Sequence, residues 1–355
     1  MLVSDYNYEL PDERIAKYPP KERGSTRLLV LNRKTGIIND SYYRNLDEFL
    51  NPGDVLILND TRVMQSRLFC ELEDGREREL VVLERHGDEP ERVMYRGKLH
   101  DGDKLYIKNQ NDYKQPIIIK HILGNGTAEA ESDMPLCTLA EKYGTVPLPP
   151  YLHRSATDAD KKRYQTVWAK NLGSAAAPTA SLNMTEELLR KLEQKGVIIK
   201  HLTLHVGLGT FLPIRSDKIE DHKMHSEWFT IPEDTLEAIR KVKQIRNNGE
   251  NKETKNADSG TVAGPRIIAL GTTVARTLEY YAKTGKTEGE DDIFIYPGFE
   301  FKLIDALLTN YHAPKSTVLM LASAFAGWDH LKAAYEHAIA EKYNFLSYGD
   351  SMLIC

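Results

Sequence analysis

Cysteine is scarce in this chain. Cys70, Cys137 and Cys355 are the only three among 355 residues, they lie far apart, and no CxxC joins any of them. That spacing offers neither a disulfide framework nor a paired-thiolate zinc site, and it predicts three unpaired thiols in a reducing compartment. Long apolar runs are also missing. None approaches the roughly 20 residues that cross a bilayer, so no membrane association is expected. The opening residues carry Asp5, Glu9, Asp12 and Glu13 and no apolar h-region, which is not a signal peptide and predicts a cytoplasmic protein. An excess of positive charge is absent too. Lys and Arg number 47 against 52 Asp and Glu, a net charge of −5, so a nucleic-acid partner would have to meet a local basic patch. No repeat of fixed period occurs, and no helix-turn-helix, zinc-finger, RRM or KH signature appears.

What is present is an ordinary globular balance, 41% hydrophobic and 28% charged residues, over a length that suits two domains better than one. RLLVLNRKTGIINDSYY reads as a hairpin that turns at Arg33-Lys34-Thr35-Gly36. RNLDEFL looks helical and stops at Asn51-Pro52-Gly53. Asp54 to Leu58 is then a short strand, apolar from Val55 on, ending in Asn59-Asp60-Thr61-Arg62. A buried strand with a polar end suits the carboxyl edge of a parallel sheet, where α/β proteins place their sites.

From Ser66 to Asp133 the pattern changes to short β-branched and aromatic segments divided by turns such as Asp74-Gly75 and Asp101-Gly102. That spacing predicts an inserted all-β domain, an antiparallel barrel or sandwich. After Leu136, helices and strands alternate, which argues for a mainly parallel sheet or barrel. Thr185 caps a helix that Gly196 stops. Pro232 opens another. Arg246 to Pro265 is polar and small where 2–6 residues would be usual, and reads as a dispensable surface insertion, with a lid as the alternative.

Several clusters could carry chemistry. Asp221-His222-Lys223-Met224-His225-Ser226-Glu227 is the densest in titratable groups. On a strand, Asp221, Lys223, His225 and Glu227 would share one face; a charged surface turn and a zinc site are the alternatives. Gly271-Thr272-Thr273 opens a helix after a strand and could hold an anion, with Arg276 one turn further in. Gly207-Leu208-Gly209-Thr210 is a weak dinucleotide fingerprint. Ala175 to Ser181 is a small-residue stretch, either a packed loop or a close approach to a ligand. Lys161-Lys162-Arg163, with Tyr164 and Trp168 in helical reach, and Arg190-Lys191 could meet RNA or simply be solvated. Taken singly these features leave an α/β enzyme or a non-catalytic RNA-binding module. Ionisable residues gathered at strand ends favour the enzyme.

The ordered set YELPDERIAKYP, NPGDVLILNDTRV, GTVPLPPY, RYQTVWA, AAAPTASL, TLHVGLGTF, DHKMHSEW, RIIALGTTVARTLE, IFIYPGFEFKLIDALLTNYHAP and SYGDSMLI resembles the S-adenosylmethionine:tRNA ribosyltransferase-isomerase family. It runs from about residue 8 to 354. The resemblance implies a barrel-like α/β major domain, residues 1–67 and 136–355, with a small antiparallel β-barrel inserted over 68–135. It implies S-adenosylmethionine as cosubstrate with no further cofactor and no metal. The partner would be a tRNA with a deazaguanine-modified GUN anticodon, and no protein partner would be required. The motif positions are Asn59, Asp60, Thr61, Arg62, Thr179, Thr272, Thr273, Arg276, Tyr296, Asn310 and Asp350, expected to bind substrate. His205, Asp221, His225, Glu227 and His312 are expected to do acid–base work, His225 foremost as general base. Two departures stand out. Asn183-Met184 occupies a place where the family commonly has His-Phe, and the 246–265 insertion replaces a short turn.

Overall fold

The computed structural model describes residues 1–83, 90–110, 112–124, 126–207, 214, 216–250 and 264–355, without the side chains of 249 and 250. Most of the 246–265 insertion and of the Gly207–Thr210 fingerprint therefore lies outside the described residues.

The run Val55–Asn59 is buried at all five positions. It has to be, because it sits deep inside a nine-stranded mixed sheet. From edge to edge the order is Glu288–Asp291, Glu227–Thr230, Ile198–Leu204, Val55–Asn59, Ile267–Leu270, Ala306–Asn310, Ser351–Ile354, Arg27–Leu31 and Ile38–Tyr42. The four strands from Ile198–Leu204 to Ala306–Asn310 are mutually parallel. Period-2 alternation divides their side chains between two cores. Val55, Ile57, Leu202, Ile267, Ala269 and Leu307 face one way. Leu56, Leu58, Ile268, Leu270, Ala306 and Leu308 face the other. Both faces are dry, which is why these strands read as continuous apolar runs rather than alternating ones.

Helices Glu233–Glu250, Thr272–Thr284, Thr317–Ala326 and Trp328–Ala340 cover the first face. Helix Glu186–Lys195 and the short helical turn Tyr43–Glu48 cover the second. The Glu186–Lys195 helix is capped as its sequence predicts. Thr185 Oγ1 accepts from Leu188 N–H at 3.1 Å, and Gly196 ends it with φ 94°.

Residues 67–131 form a closed six-stranded antiparallel barrel. Leu68, Cys70, Leu80, Val93, Leu105, Ile117 and Ala128 fill it, and helix Leu136–Tyr143 plugs one side with Leu136, Leu139 and Ala140. Burial pushes the Cys70 thiol up to about 12, which leaves it inert near neutrality. The chain enters and leaves the barrel through one junction, where Arg67 and Thr145 exchange backbone hydrogen bonds of 3.1 and 2.8 Å. Gly144 is required there, since a Cβ would stand 1.9 Å from the Gln65 carbonyl oxygen. The α/β class with a small antiparallel barrel is thus as expected.

One local expectation fails. Residues 221–227 do not form a strand. Ile219–Asp221 is a single helical turn, 222–226 is irregular, and the strand begins only at Glu227. The charged residues before Glu227 have no face to bury, so nothing holds them extended.

Candidate active site

The four parallel strands end together, at Asn59, Leu204, Leu270 and Asn310. Above the last two and the small-residue turn 176–180 opens a cleft of about 350 Å³, a size that suits a small organic ligand. Of the expected residues, Thr179, Thr272, Thr273, Asn310 and His312 line it. Val206, next to His205, lines it as well. Ala175 to Ser181 is therefore close-approach backbone for the cleft wall.

Asn310 is 2% exposed, and its orientation is fixed. Its side-chain N–H₂ donates to the carbonyls of Leu346 at 2.8 Å and Ser347 at 3.3 Å. Its Oδ1 is left buried with no donor among the described residues. Such an acceptor is costly unless a ligand supplies the donor. The Thr273 hydroxyl is orphaned likewise. It lies in the first turn of helix Thr272–Thr284, whose opening N–H groups no side chain of the N-cap residue, Gly271, satisfies. Gly271 makes that turn possible with φ 96°.

The His312 imidazole touches the cleft but is otherwise enclosed by protein. Desolvation holds its pKa down at about 3. Its Nε2 meets Thr309 Oγ1 at 3.0 Å. Its main chain is clamped from two sides: its N–H donates to the Tyr335 hydroxyl at 2.9 Å, and its carbonyl accepts from the Tyr8 hydroxyl.

Asn59, Asp60 and Thr61 are buried and turned inward. The Asn59 amide donates to Leu204 O at 2.9 Å and accepts from the N–H groups of Thr61 and Leu204 at 3.0 and 3.1 Å. Asp60 accepts from Thr203 Oγ1 at 2.6 Å and Asn171 at 3.1 Å. These two side chains fasten neighbouring strand ends. Thr61 Oγ1 reaches His205 Nδ1 at 2.8 Å, and the His205 ring stacks on Trp228 at 5.5 Å. A buried imidazole held on both ring edge and face is a well-oriented proton carrier. Arg62 is exposed on the neighbouring short strand.

Arg276 does not wait for an anion. Its guanidinium donates to Glu227 and, at 3.3 Å, to Asp291, residues paired across adjacent strands. Burial alone would lower the Arg276 pKa; the two carboxylates reverse this and raise it. Burial pushes the Asp291 carboxyl up against the pull of Arg276. Glu227 Oε1 also accepts from Gly207 N–H at 2.7 Å. A smaller space of about 30 Å³, lined by Glu227, Arg276 and Met224, adjoins the cleft through Thr272 and Thr273.

The rest of the charged segment falls away from this arrangement. Asp221, Lys223 and His225 are exposed, and among the described residues His225 forms no ion pair with a carboxylate. His222 packs edge-on against Phe294 at 5.1 Å, and burial lowers its pKa. Among the described residues no three His, Cys, Asp or Glu side chains gather as metal ligands. Tyr296 packs beside Phe294 at 5.2 Å, outside the cleft lining. Asp350 is buried, accepts from the N–H groups of Arg27 and Asn344 at 2.7 and 2.6 Å, and has its carboxyl raised by that burial. Asn183 donates to Gly349 O at 2.9 Å and Ser351 Oγ at 3.1 Å, a purely structural tie. Tyr164 is fully buried and offers no stacking face, and Trp168 is half-buried with its indole N–H donated to Asn59 O at 2.8 Å.

Sequence reasoning missed Tyr151, Thr309 and Ser347, which line the cleft. Tyr151 and Ser347 share a hydrogen bond through their hydroxyls. The signal existed, since all three lie inside the motifs GTVPLPPY, TNYHAP and SYGDSMLI.

A cleft over the carboxyl ends of parallel strands, with orphaned polar atoms in its wall, defines an α/β enzyme. A family described as queuosine biosynthesis protein matches residues 3–354. The S-adenosylmethionine:tRNA ribosyltransferase-isomerase of Pelodictyon phaeoclathratiforme is 51% identical, and that of a Sulfurihydrogenibium species 45%, each over 100% of both chains. The crystal structure of the S-adenosylmethionine tRNA ribosyltransferase of Thermotoga maritima covers 99% of this chain and 100% of its own, with 32% identity and a TM-score of 0.54. The chain belongs to this queuosine biosynthesis family of transferase-isomerases that modify tRNA.

Proposed function

We propose that the chain moves the ribosyl part of S-adenosylmethionine onto 7-aminomethyl-7-deazaguanine at the wobble position of a GUN-anticodon tRNA. The products are epoxyqueuosine-tRNA, adenine and methionine. S-adenosylmethionine is the sole cosubstrate in this reading, and no metal takes part.

The observation that carries it is the pairing of opposite demands in one cleft. The start of helix Thr272–Thr284 offers N–H groups to a carboxylate. Asn310 Oδ1, buried and without a donor among the described residues, asks for an N–H. A zwitterionic amino-acid end meets both, and the methionyl end of S-adenosylmethionine is one. The sulfonium acidifies the adjacent ribose methylene. We assign that proton to His205, which Thr61 and Trp228 orient and which adjoins the cleft residue Val206 without lining the cleft itself. Adenine leaves, the neutral aminomethyl nitrogen attacks the ribose, and a ribose hydroxyl closes the epoxide as methionine departs. His312, held neutral by burial, positions substrate through hydrogen bonds. The Glu227–Arg276–Asp291 cluster positions the cleft floor through Gly207 and Thr273.

The test is to mix the protein, S-adenosylmethionine and an anticodon stem-loop bearing 7-aminomethyl-7-deazaguanine. Free adenine and methionine are expected in step with RNA modification. S-adenosylhomocysteine instead would make the chain a methyltransferase. RNA binding with neither product would make it a binding module.

A further inference from the structure

Two stretches far apart in sequence meet beside the cleft. Arg154 Nε donates to Lys17 O at 2.7 Å, and Arg23 Nη2 donates to Gln165 O at 3.0 Å. The segment Lys17–Arg23 is thereby fastened against helix Asp158–Arg163. That fold brings together Lys17, Lys21, Arg23, Lys161, Lys162 and Arg163.

Ion pairs answer few of these charges: Glu22, within the segment, is exposed and forms none among the described residues. Asp160 is buried and taken by Arg154 in a two-pronged contact of 2.7 and 2.8 Å. Asp158 reaches only Lys161, at 3.4 Å, from a fully exposed position. Among the described residues no carboxylate lies within ion-pair distance of Lys17, Lys21, Arg23, Lys162 or Arg163. Burial and the neighbouring Arg163 guanidinium both lower the Arg23 pKa. Arg23 Nη1 and Arg163 Nε are buried N–H groups with no acceptor among the described residues. Two guanidiniums side by side, each with an unanswered donor, are a costly arrangement for a protein alone. A phosphate bridging them cancels the repulsion and fills the donors.

The place fits a polymer that feeds the cleft. Tyr348 donates to Asp160 at 2.8 Å and follows Ser347, a cleft residue. Gln165 exchanges hydrogen bonds of 3.0 and 2.7 Å with Val63, close to Thr61. Tyr18, 64% exposed, lies flat under the Arg154 guanidinium at 4.3 Å and offers its other face to a base.

We infer that Arg23 and Arg163 clamp one phosphate of the substrate RNA, with Lys17, Lys21 and Lys162 holding its neighbours and Tyr18 stacking on an unpaired base. This rests on the proposed tRNA substrate and adds where its backbone runs.

Binding of a fluorescein-labelled anticodon stem-loop with an unmodified guanine at the wobble position tests it, read by anisotropy over a salt series and without S-adenosylmethionine. Arg163→Gln should weaken binding roughly 10-fold and cut the slope of log affinity against log salt by about 1. Lys17, Lys21 and Lys162 changed together to Gln should cut it further. These three are exposed, so this variant keeps its fold if Arg163→Gln does not, and thermal unfolding checks both. Unchanged affinity and slope in a folded variant would overturn the inference. So would a polyglutamate peptide that displaces the stem-loop as well as unlabelled RNA does, because the surface would then serve an acidic protein. RNA binding that needs these cations alongside absent adenine release would sink the reaction and leave the surface standing.

Discussion

Two regions carry the ionisable groups from which a reactive centre can be built, and they differ in one respect. The 221–226 segment has the higher density of such side chains, yet Asp221, Lys223 and His225 stand in solvent. The strand ends around residues 59–61 and 205 have fewer, yet Asn59, Asp60, Thr61 and His205 are all buried and hydrogen-bonded. A titratable group does chemistry when its environment fixes its orientation and proton affinity. Sequence density measures neither, and a polar cluster at the end of an apolar strand is the better guide.

Substitutions in the two regions should differ in consequence, and the largest effect should be on stability. Arg276→Met removes the buried guanidinium that bonds both Glu227 and Asp291, carboxylates paired across adjacent strands. A loss of about 3–5 kcal/mol is expected at neutral pH by chemical denaturation. The loss should shrink on acidification, because protonation removes the repulsion. Next comes His205→Ala, which should lower turnover by roughly 100-fold while S-adenosylmethionine binding changes much less. Wild-type turnover there would return the site to the exposed segment. Asn310→Leu removes the acceptor from the cleft wall and should raise the KM for S-adenosylmethionine by roughly 10-fold; an unaffected KM would show that the amino-acid end sits elsewhere.

Buried charge also sets the acid limit. Burial alone would raise the Asp160 pKa, but Arg154, Thr157 and Tyr348 hold the carboxyl well below its usual range. A depressed folded pKa gives stability that is full above the unfolded value near 4 and fades as pH falls through the folded one. Asp160→Asn should therefore flatten stability against pH below about 4. The smallest effect belongs to His225→Ala, expected within roughly 3-fold of wild type, as for a surface position. A 100-fold loss would overturn the comparison.

Much of this was legible beforehand. Val55–Asn59, the hairpin turning at Gly36, the cap at Thr185 and the barrel strands follow from apolar period and turn residues, which are local signals. The start of the cleft helix at Gly271-Thr272-Thr273 was legible for the same reason. Arg276 was not. Its carboxylates come from Glu227 and Asp291, 49 and 15 positions away, and only the folded sheet brings them in. Lys17 and Lys21 escaped notice because the segment that carries them contributes to the basic surface only after docking on residues 154–165. Tyr164 looked like a stacking residue on a helical wheel. It is core, because the helix Asp158–Arg163 ends just before it.

The position of Ser351–Ile354 has a consequence for how the protein is made. The hairpin Arg27–Tyr42 touches the rest of the large sheet only through that strand. Arg27 and Asp350, joined by a hydrogen bond, stand 323 positions apart. A ribosome adding about 5–20 residues per second needs roughly 15–60 s to cover that distance. Throughout that interval the Leu28–Leu31 edge exists without its neighbour, an apolar strand with open hydrogen-bonding groups. Nascent chains are therefore most vulnerable to mispairing at this hairpin, whose two strands precede all others of the large sheet and which must wait for the last of them to seat it.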